Sequence, residues 1–352
     1  TYLKMQRAAI ALVLCASFCA SLPVSAPVPQ LYGTNTAGQL EAVDPSTANY
    51  TAFGTSLTSL MLIQSQGLTT VDAANNILYA AVLNQTAMDY ELVAMNIDSG
   101  EVSVIAKLPV GVAVFVGVGM YIQFDSKTGD VIVVGHISNT QHEVFRVTPK
   151  DGKVVNVASF GDMDILGGAS GFVPTESTLV MMVALNVSGT VRLDLQQIDV
   201  KTSKVYPPVS DVDYMESLSF DEKTNHLFGL GLTSHNGSYV RTLVKLEPNS
   251  GNQTIVANIP GYFVMSSNVQ GLCTIGRKLF VLLQKGASWA DPEKIPIATV
   301  AANMPFFAQL GADQSMYLVT IDLDTGKVVS EAKACEQLID CPWSLQVGQT
   351  RK

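Results

Sequence analysis

The sequence predicts an all-β fold, a closed ring of six four-stranded antiparallel sheets of the kind called a β-propeller. Three observations predict it. Short runs of Val, Ile, Leu, Phe and Tyr are broken by Gly, Asn, Asp and Ser every eight to twelve residues, with no amphipathic helical pattern outside one insertion. One turn phrase recurs as "NIDSGEVSV" (96–104), "IDVKTSKVY" (198–206) and "IDLDTGKVV" (321–329), and a second as "FDSKTGDVIVV" (124–134) and "FDEKTNHLFGL" (220–230). The two phrases interleave with a period of about fifty residues.

As backbone chemistry, each phrase is two strand ends joined by a tight turn. In "IDLDTGKVV", Ile321 and Val328 belong to alternating apolar runs, Asp322 or Asp324 can bond turn amides, and Gly326 can take the positive φ of a type I turn with a bulge. Aligning the first phrase gives Asp44, Asp98, Thr148, Asp199, Glu247 and Asp322, spaced by 54, 50, 51, 48 and 75 residues. The second gives Asp72, Asp125, Pro174, Asp221 and Thr274, spaced by 53, 49, 47 and 53. Two hairpins per period make four strands, the blade of a propeller.

The blades follow in order. The chain enters the first at "QLYGTN" (30–35) and continues through "QLEAVD" and "YTAFG", with no inner strand before them. The fifth is the clearest: "YMESLSF" (214–220), "HLFGLGL" (226–232), "YVRTLVKL" (239–246) and "QTIVANI" (253–259). Glycine-rich "VGVAVFVGVGM" (110–120) precedes no helical pattern, so it reads as a buried inner strand rather than a phosphate loop. Six copies of one hairpin and five of the other leave one inner strand missing, and "CPWSLQV" (341–347) is the segment available to supply it beside residues 30–36. Such closure removes the free edge of the ring.

Residues 1–26 read as a secretory signal with Met5 as its natural start: Arg7, an apolar stretch 8–22, then Val24-Ser25-Ala26. The expected mature chain is one propeller over 27–350, secreted and extracellular, with no membrane contact once the signal is removed. Losing Lys4 and Arg7 moves the formal charge from −9 to −11, which disfavours nucleic acid and anionic membranes as partners. Only 14% of residues are charged, against roughly 25% in ordinary soluble domains. Sequons at Asn49, Asn84, Asn186, Asn236 and Asn252, all in expected turns or strand ends, point to N-linked glycans as the solubilising surface. In an oxidising compartment Cys335 and Cys341 can close a small loop beside the ring closure, with Cys273 left over.

The phrases "NIDSGEV", "IDVKTSKV" and "IDLDTGKVV", alternating with "FDSKTGDV" and "FDEKTNHLF", resemble the repeats of secreted propellers of the YVTN and quinoprotein-dehydrogenase-like superfamily over nearly all of 30–347. The resemblance implies fold rather than activity. Quinoprotein enzymes of that group imply eight blades and a tryptophan-rich pattern, whereas this chain has six expected blades and only Trp289 and Trp343. A quinone cofactor is not expected.

Two features carry candidate sites. Acidic residues gather on the connections into blades 4 and 5, Asp162 and Asp164 and then Asp211, Asp213 and Glu216, where converging oxygens at the channel mouth could hold Ca²⁺. An insertion at 285–315 carries Trp289, Phe306 and Phe307, either a flap over its own blade or a docking element. No nucleophile motif accompanies His136, His142, His226 or His235. The expected function is therefore a non-catalytic extracellular glycoprotein whose propeller binds other protein chains, copies of itself included, as in a surface layer or fibre. The alternatives are a metal-dependent hydrolase or lactonase with its site at the channel mouth, and a carbohydrate- or small-ligand-binding propeller.

Overall fold

The computed structural model describes residues 29–34, 39–54, 60–62, 69–84, 86–110, 121–138, 141–161, 164–188, 190–210, 212–213, 215–235, 238–259, 261–263, 273–285, 315–335 and 343–349. Blade 1 holds β1 (Pro29–Thr34), β2 (Leu40–Val43) and β3 (Tyr50–Phe53). Blade 2 holds β4 (Leu60–Leu62), β5 (Thr69–Asp72), β6 (Ile77–Asn84), β7 (Asp89–Asn96) and β8 (Val102–Leu108). Blade 3 holds β9 (Tyr121–Asp125), β10 (Asp130–Ser138), β11 (Gln141–Thr148) and β12 (Lys153–Gly161). Blade 4 holds β13 (Asp164–Val173), β14 (Thr178–Val187), β15 (Thr190–Asp199), β16 (Lys204–Val205) and β17 (Val209–Ser210). Blade 5 holds β18 (Met215–Asp221), β19 (His226–His235), β20 (Ser238–Leu246) and β21 (Gln253–Asn258). Blade 6 holds β22 (Tyr262–Phe263), β23 (Cys273–Ile275), β24 (Lys278–Lys285), β25 (Met316–Asp322) and β26 (Val328–Cys335), and β27 (Trp343–Gln349) follows it.

Every neighbouring pair within a blade is antiparallel, and the six blades form the ring that the phrase spacing predicts. Where five strands occur, one edge strand is broken in two. The inner strands of blades 2 and 6 are split, as β4/β5 on β6 and as β22/β23 on β24. The outer strand of blade 4 is split into β16 and β17 around Tyr206-Pro207-Pro208, because proline has no amide to give the ladder.

The missing inner strand comes from the C-terminus. β27 pairs with β1, running from Pro29↔Gln349 to Thr34↔Trp343. The paired segments are 343–349 and 29–34, a slight shift from the expected 341–347 and 30–36. Six apolar clusters correspond to the six blade junctions, and each draws on two neighbouring blades. The alternation within a strand feeds both sides: fully buried Leu31 packs with Phe280 and Leu318 of blade 6, while Tyr32 packs with Leu78 and Val93 of blade 2. No helix of the described residues is long and apolar enough to cross a membrane.

The recurrent phrase is a longer turn than expected. In five of the outer hairpins the fifth residue's amide donates to the first residue's carbonyl: Ala48 to Asp44, Gly100 to Asn96, Gly152 to Thr148, Gly251 to Glu247 and Gly326 to Asp322, at 2.8–2.9 Å. Those fifth residues, and Ser203 in blade 4, all have positive φ. The first residue's side chain caps the turn, as Asp44 accepting from Ser46 N at 2.7 Å or Asp322 accepting from Thr325 N at 2.8 Å. In blade 2 that cap is Asn96, which accepts from Asp98 N at 2.9 Å, so the phrase is anchored there on Asn96 rather than Asp98. Turn bonds to Ser46, Thr202 and Thr325 hold the carboxyls of Asp44, Asp199 and Asp322 below their ordinary 3.8, for Asp199 against an opposing desolvation. A lowered carboxylate stabilises the fold above its unfolded value, and that contribution is lost as pH falls through the folded one.

The glycine of the phrase has a second role, between blades. The outer strands β8, β12 and β21 each carry one extra, unpaired residue: Ile105, Val157 and Val256, nine positions after Asn96, Thr148 and Glu247. On β8 and β21 the turn of the following blade comes down on this bulge. A Cβ on Gly152 would lie 2.5 Å from the Ile105 carbonyl oxygen, and one on Gly326 would lie 2.3 Å from Ala257 Cβ and 3.3 Å from the Val256 oxygen. Blade 1 has a short outer strand and no such bulge; there Gly54 and Gly100 meet backbone to backbone.

Candidate functional site

Polar side chains on the hairpin face join neighbouring blades as well as capping their own turns. Thr70 accepts from Phe124 N at 2.9 Å across blades 2 and 3. Ser177 donates to Asp125 Oδ2 at 3.3 Å across blades 3 and 4, and Thr175 to Asn225 at 2.6 Å across blades 4 and 5. Thr274 donates to the Phe220 carbonyl at 2.7 Å across blades 5 and 6. Blades 5 and 6 also share an ionic fork, in which Arg277 bonds Asp221 of blade 5 and donates Nη2 to Asp324 at 2.6 Å.

Gly276 and Arg277 form the two-residue turn between β23 and β24, both with positive φ, which aims the guanidinium at the junction. The side chains of Arg277 and Asp221 are 14% and 7% exposed, so little water screens the pair. The bond to Asp324, with help from Asp221, raises the Arg277 pKa further, and the group stays charged. Replacing Arg277 with Gln should lower stability by about 2–4 kcal/mol, because the buried Asp221 side chain then loses its cation. Urea unfolding measures this, and a midpoint equal to the parent's would show that the fork adds nothing.

The predicted metal ligands separate in part. Asp164 opens β13, and Glu216 is the second residue of β18; these are the inner strands of blades 4 and 5, which lie side by side. Their starts therefore share the channel end of the ring. Asp213 is exposed, and its main chain is held by the side chain of Gln253, the first residue of outer strand β21, through bonds of 2.8 and 2.9 Å. Asp162 and Asp211 lie outside the described residues. Among the described residues, no group of three or more His, Cys, Asp or Glu side chains is placed to hold a metal ion.

Trp289, Phe306 and Phe307 of the insertion, Asn236, Cys341 and residues 111–120 also lie outside the described residues. Asn49 and Asn252 are exposed and stand at equivalent positions, each directly after the positive-φ residue of an outer hairpin. Asn84 is the last residue of β6 and Asn186 the last but one of β14, next to the second-to-third-strand connections at the other end of the blades. Cys335 is disulfide-bonded. Cys273 is a free thiol, buried, and its pKa is pushed up to about 12 by that burial, which makes it inert.

Sequence reasoning missed the apolar side chains left on the blade edges. Val104 on β8, Val205 on β16, Ile255 on β21 and Val328 and Val329 on β26 are exposed, and they lie on the outer strands of blades 2, 4, 5 and 6. Their signal was present, since each falls a few residues after a turn anchor. An outer strand's alternation, however, does not say which side chains the next blade will cover.

No family model matches the chain, and no curated protein matches it. Solved structures do. The chain is similar to a structure described as a nidogen/laminin complex, with a TM-score of 0.57, 11% identity and coverage of 92% of this chain and 100% of that one. It is also similar to TolB from Acinetobacter baumannii, with a TM-score of 0.54, 10% identity and coverage of 92% of this chain and 66% of that one. A periplasmic gluconolactonase from Pseudomonas aeruginosa gives a TM-score of 0.49 at 12% identity, with coverage of 92% and 99%. At these identities the likeness shows a fold and no activity: the chain is a six-bladed β-propeller closed by its C-terminal strand.

Proposed function

We propose that this chain is an exported, N-glycosylated and non-catalytic propeller that serves as a scaffold for protein association, including assembly with copies of itself into a layer or fibre. The observation that carries the reading is the placement of Val104, Val205, Ile255, Val328 and Val329. These exposed β-branched side chains occupy the outer strands of blades 2, 4, 5 and 6. Outer strands also present unpaired amides and carbonyls, so an apolar outer strand is a ready surface for another chain.

Export is supported by the signal-like residues 5–26 and by the disulfide at Cys335, with Cys341 as its proposed partner. The nidogen structure, whose description names a complex with laminin, is a propeller-bearing precedent for binding another protein. Trp289, Phe306 and Phe307 are proposed as a second contact element.

The test is sizing and electron microscopy of the secreted protein over a range of concentrations. The parent should form species larger than the monomer. Replacing these four valines and Ile255 with lysine should return it to a monomer with an unchanged urea midpoint, because exposed positions contribute little to the fold. A parent that stays monomeric at every concentration and captures no protein partner would remove the scaffold reading.

A further inference from the structure

The outer strands differ in how well they are guarded against a second chain, which shortness, proline and surface groups ordinarily keep away. β3 has four residues, Pro207 and Pro208 break the outer strand of blade 4, and sequons at Asn49 and Asn252 stand at the starts of β3 and β21. β8 and β12 are longer, but each carries a lysine and no acid, so two copies side by side bring no opposite charges together. β26 has eight residues, no proline and no sequon, and it alone among these strands carries both signs, Glu331 and Lys333. Val328 and Val329 at its start are 40% and 52% exposed. We propose that β26 pairs antiparallel with β26 of a second copy across a two-fold axis at Ala332. This rests on the self-association reading above and names the edge and the register through which one contact forms.

The backbone is set for this register. Asp322 N donates to Lys327 O at 2.9 Å and Asp322 O accepts from Gly326 N at 2.8 Å, so Asp322 turns both groups towards β26. Alternate residues of a strand face the same neighbour, which carries this direction along β25 to Leu318, the register partner of Ala332. Ala332 therefore bonds towards β25, and Glu331 and Lys333 on either side of it turn their amides and carbonyls outward. Register shifts at Val329 and Ala334 bound this regular run at both ends.

The charges match the same axis. Pairing about Ala332 sets Glu331 opposite Lys333 of the second copy, and Lys333 opposite its Glu331, with each opposed pair exchanging main-chain hydrogen bonds in both directions. Both side chains are exposed and lie on one face of β26, so opposite charges meet across the joint. Tyr262 donates to Glu331, which holds the carboxylate on that face, and a carboxylate has acceptor sites for a lysine as well. At the axis Ala332 meets Ala332, and neither side chain is large enough to hold the strands apart.

The experiment uses the full chain from a eukaryotic secretory host, read by sedimentation velocity. Val104→Lys, Val205→Lys and Ile255→Lys together leave β26 as the outer strand with exposed apolar side chains, and this background should be a dimer. Within it, Glu331→Lys or Lys333→Glu alone sets like charges opposite each other and should raise the dissociation constant about tenfold or more. Making both changes in one chain should restore the background's constant, and so should an equimolar mixture of the two single variants, because each charge again meets its opposite. Ala332→Cys should give a disulfide-linked dimer on a non-reducing gel, since its two copies stand directly opposite at about 4.5 Å between Cα atoms. Ser330→Cys, whose copies stand about 13 Å apart along the strands, should not. Single variants that associate as well as the background, cross-linking at Ser330 rather than Ala332, or a monomeric background from a parent that assembles would each overturn this pairing and leave the scaffold reading standing. A parent that stays monomeric at every concentration would overturn the pairing, and if it also captures no protein partner the scaffold reading falls with it.

Discussion

Ending the chain at residue 342 should abolish cooperative folding, because it removes the inner strand of blade 1 and opens the ring. Among the described residues β27 is the only strand on the inner side of β1, and its ladder runs the length of β1. Without it, β1 presents a free edge to the channel. The loss spreads because β1 feeds two junctions: Leu31 belongs to the cluster between blades 6 and 1, and Tyr32 to the one between blades 1 and 2. A loosened β1 therefore weakens two of six junctions together. Domains of this kind are stable by about 5–15 kcal/mol, and fully burying a Leu or Phe is worth roughly 1.5–3 kcal/mol, so two disrupted clusters consume most of the margin. The check is near-ultraviolet circular dichroism with urea unfolding. A truncated chain should lack a sigmoidal transition, and a synthetic 343–349 peptide at high concentration should restore part of it. Retention of the parent's midpoint would mean that the ring does not depend on this strand.

That closure was legible because it is arithmetic. Six outer hairpins and five inner ones leave one strand owing, and only the C-terminal apolar segment was unassigned. The blade period was legible for the same reason, as a turn phrase has a fixed chemistry of carboxylate or amide cap followed by a positive-φ residue. The phrase alignment slipped by two residues at Asp98, because Asn96 and Asp98 both carry an acceptor at the right distance from a turn amide, and only the structure shows that Asn96 takes it. Asp98 instead accepts from Asn76 of the inner hairpin.

Contacts between blades were harder to read, although a rule for them lay in the sequence. Thr70 and Phe124, Ser177 and Asp125, Thr175 and Asn225, Thr274 and Phe220, and Arg277 and Asp221 are each separated by one repeat, between 50 and 56 residues. A propeller places corresponding positions of successive blades side by side, so a polar residue can find its partner one period away. The bulges at Ile105, Val157 and Val256 left no such trace. They insert a residue into a strand whose apolar content is unchanged, and at Ile105 and Val256 their purpose lies in the next blade's turn.

That purpose sets the second large effect. Gly100, Gly326 and Gly129 all have positive φ, at 69°, 67° and 75°. Their surroundings differ. A Cβ at Gly129 would meet nothing within 4 Å, one at Gly326 would overlap Ala257 at 2.3 Å, and one at Gly100 would strike the Gly54 backbone at 2.1 Å. Alanine at Gly129 therefore meets only the penalty of a left-handed backbone, about 1 kcal/mol. Alanine at Gly100 or Gly326 adds overpacking at a blade junction, typically about 1–3 kcal/mol, for a total of about 2–4 kcal/mol. The Gly100 variant should suffer most, since its Cβ would make the closest approach, 2.1 Å from the Gly54 Cα against 2.3 Å from the Ala257 Cβ at Gly326. Urea unfolding of the three variants separates the two contributions, because the backbone penalty is common to all. Equal losses at the three positions would mean that the glycines are kept for φ alone, and the close seating of each blade's turn on the blade before it would not be what the repeated phrase secures.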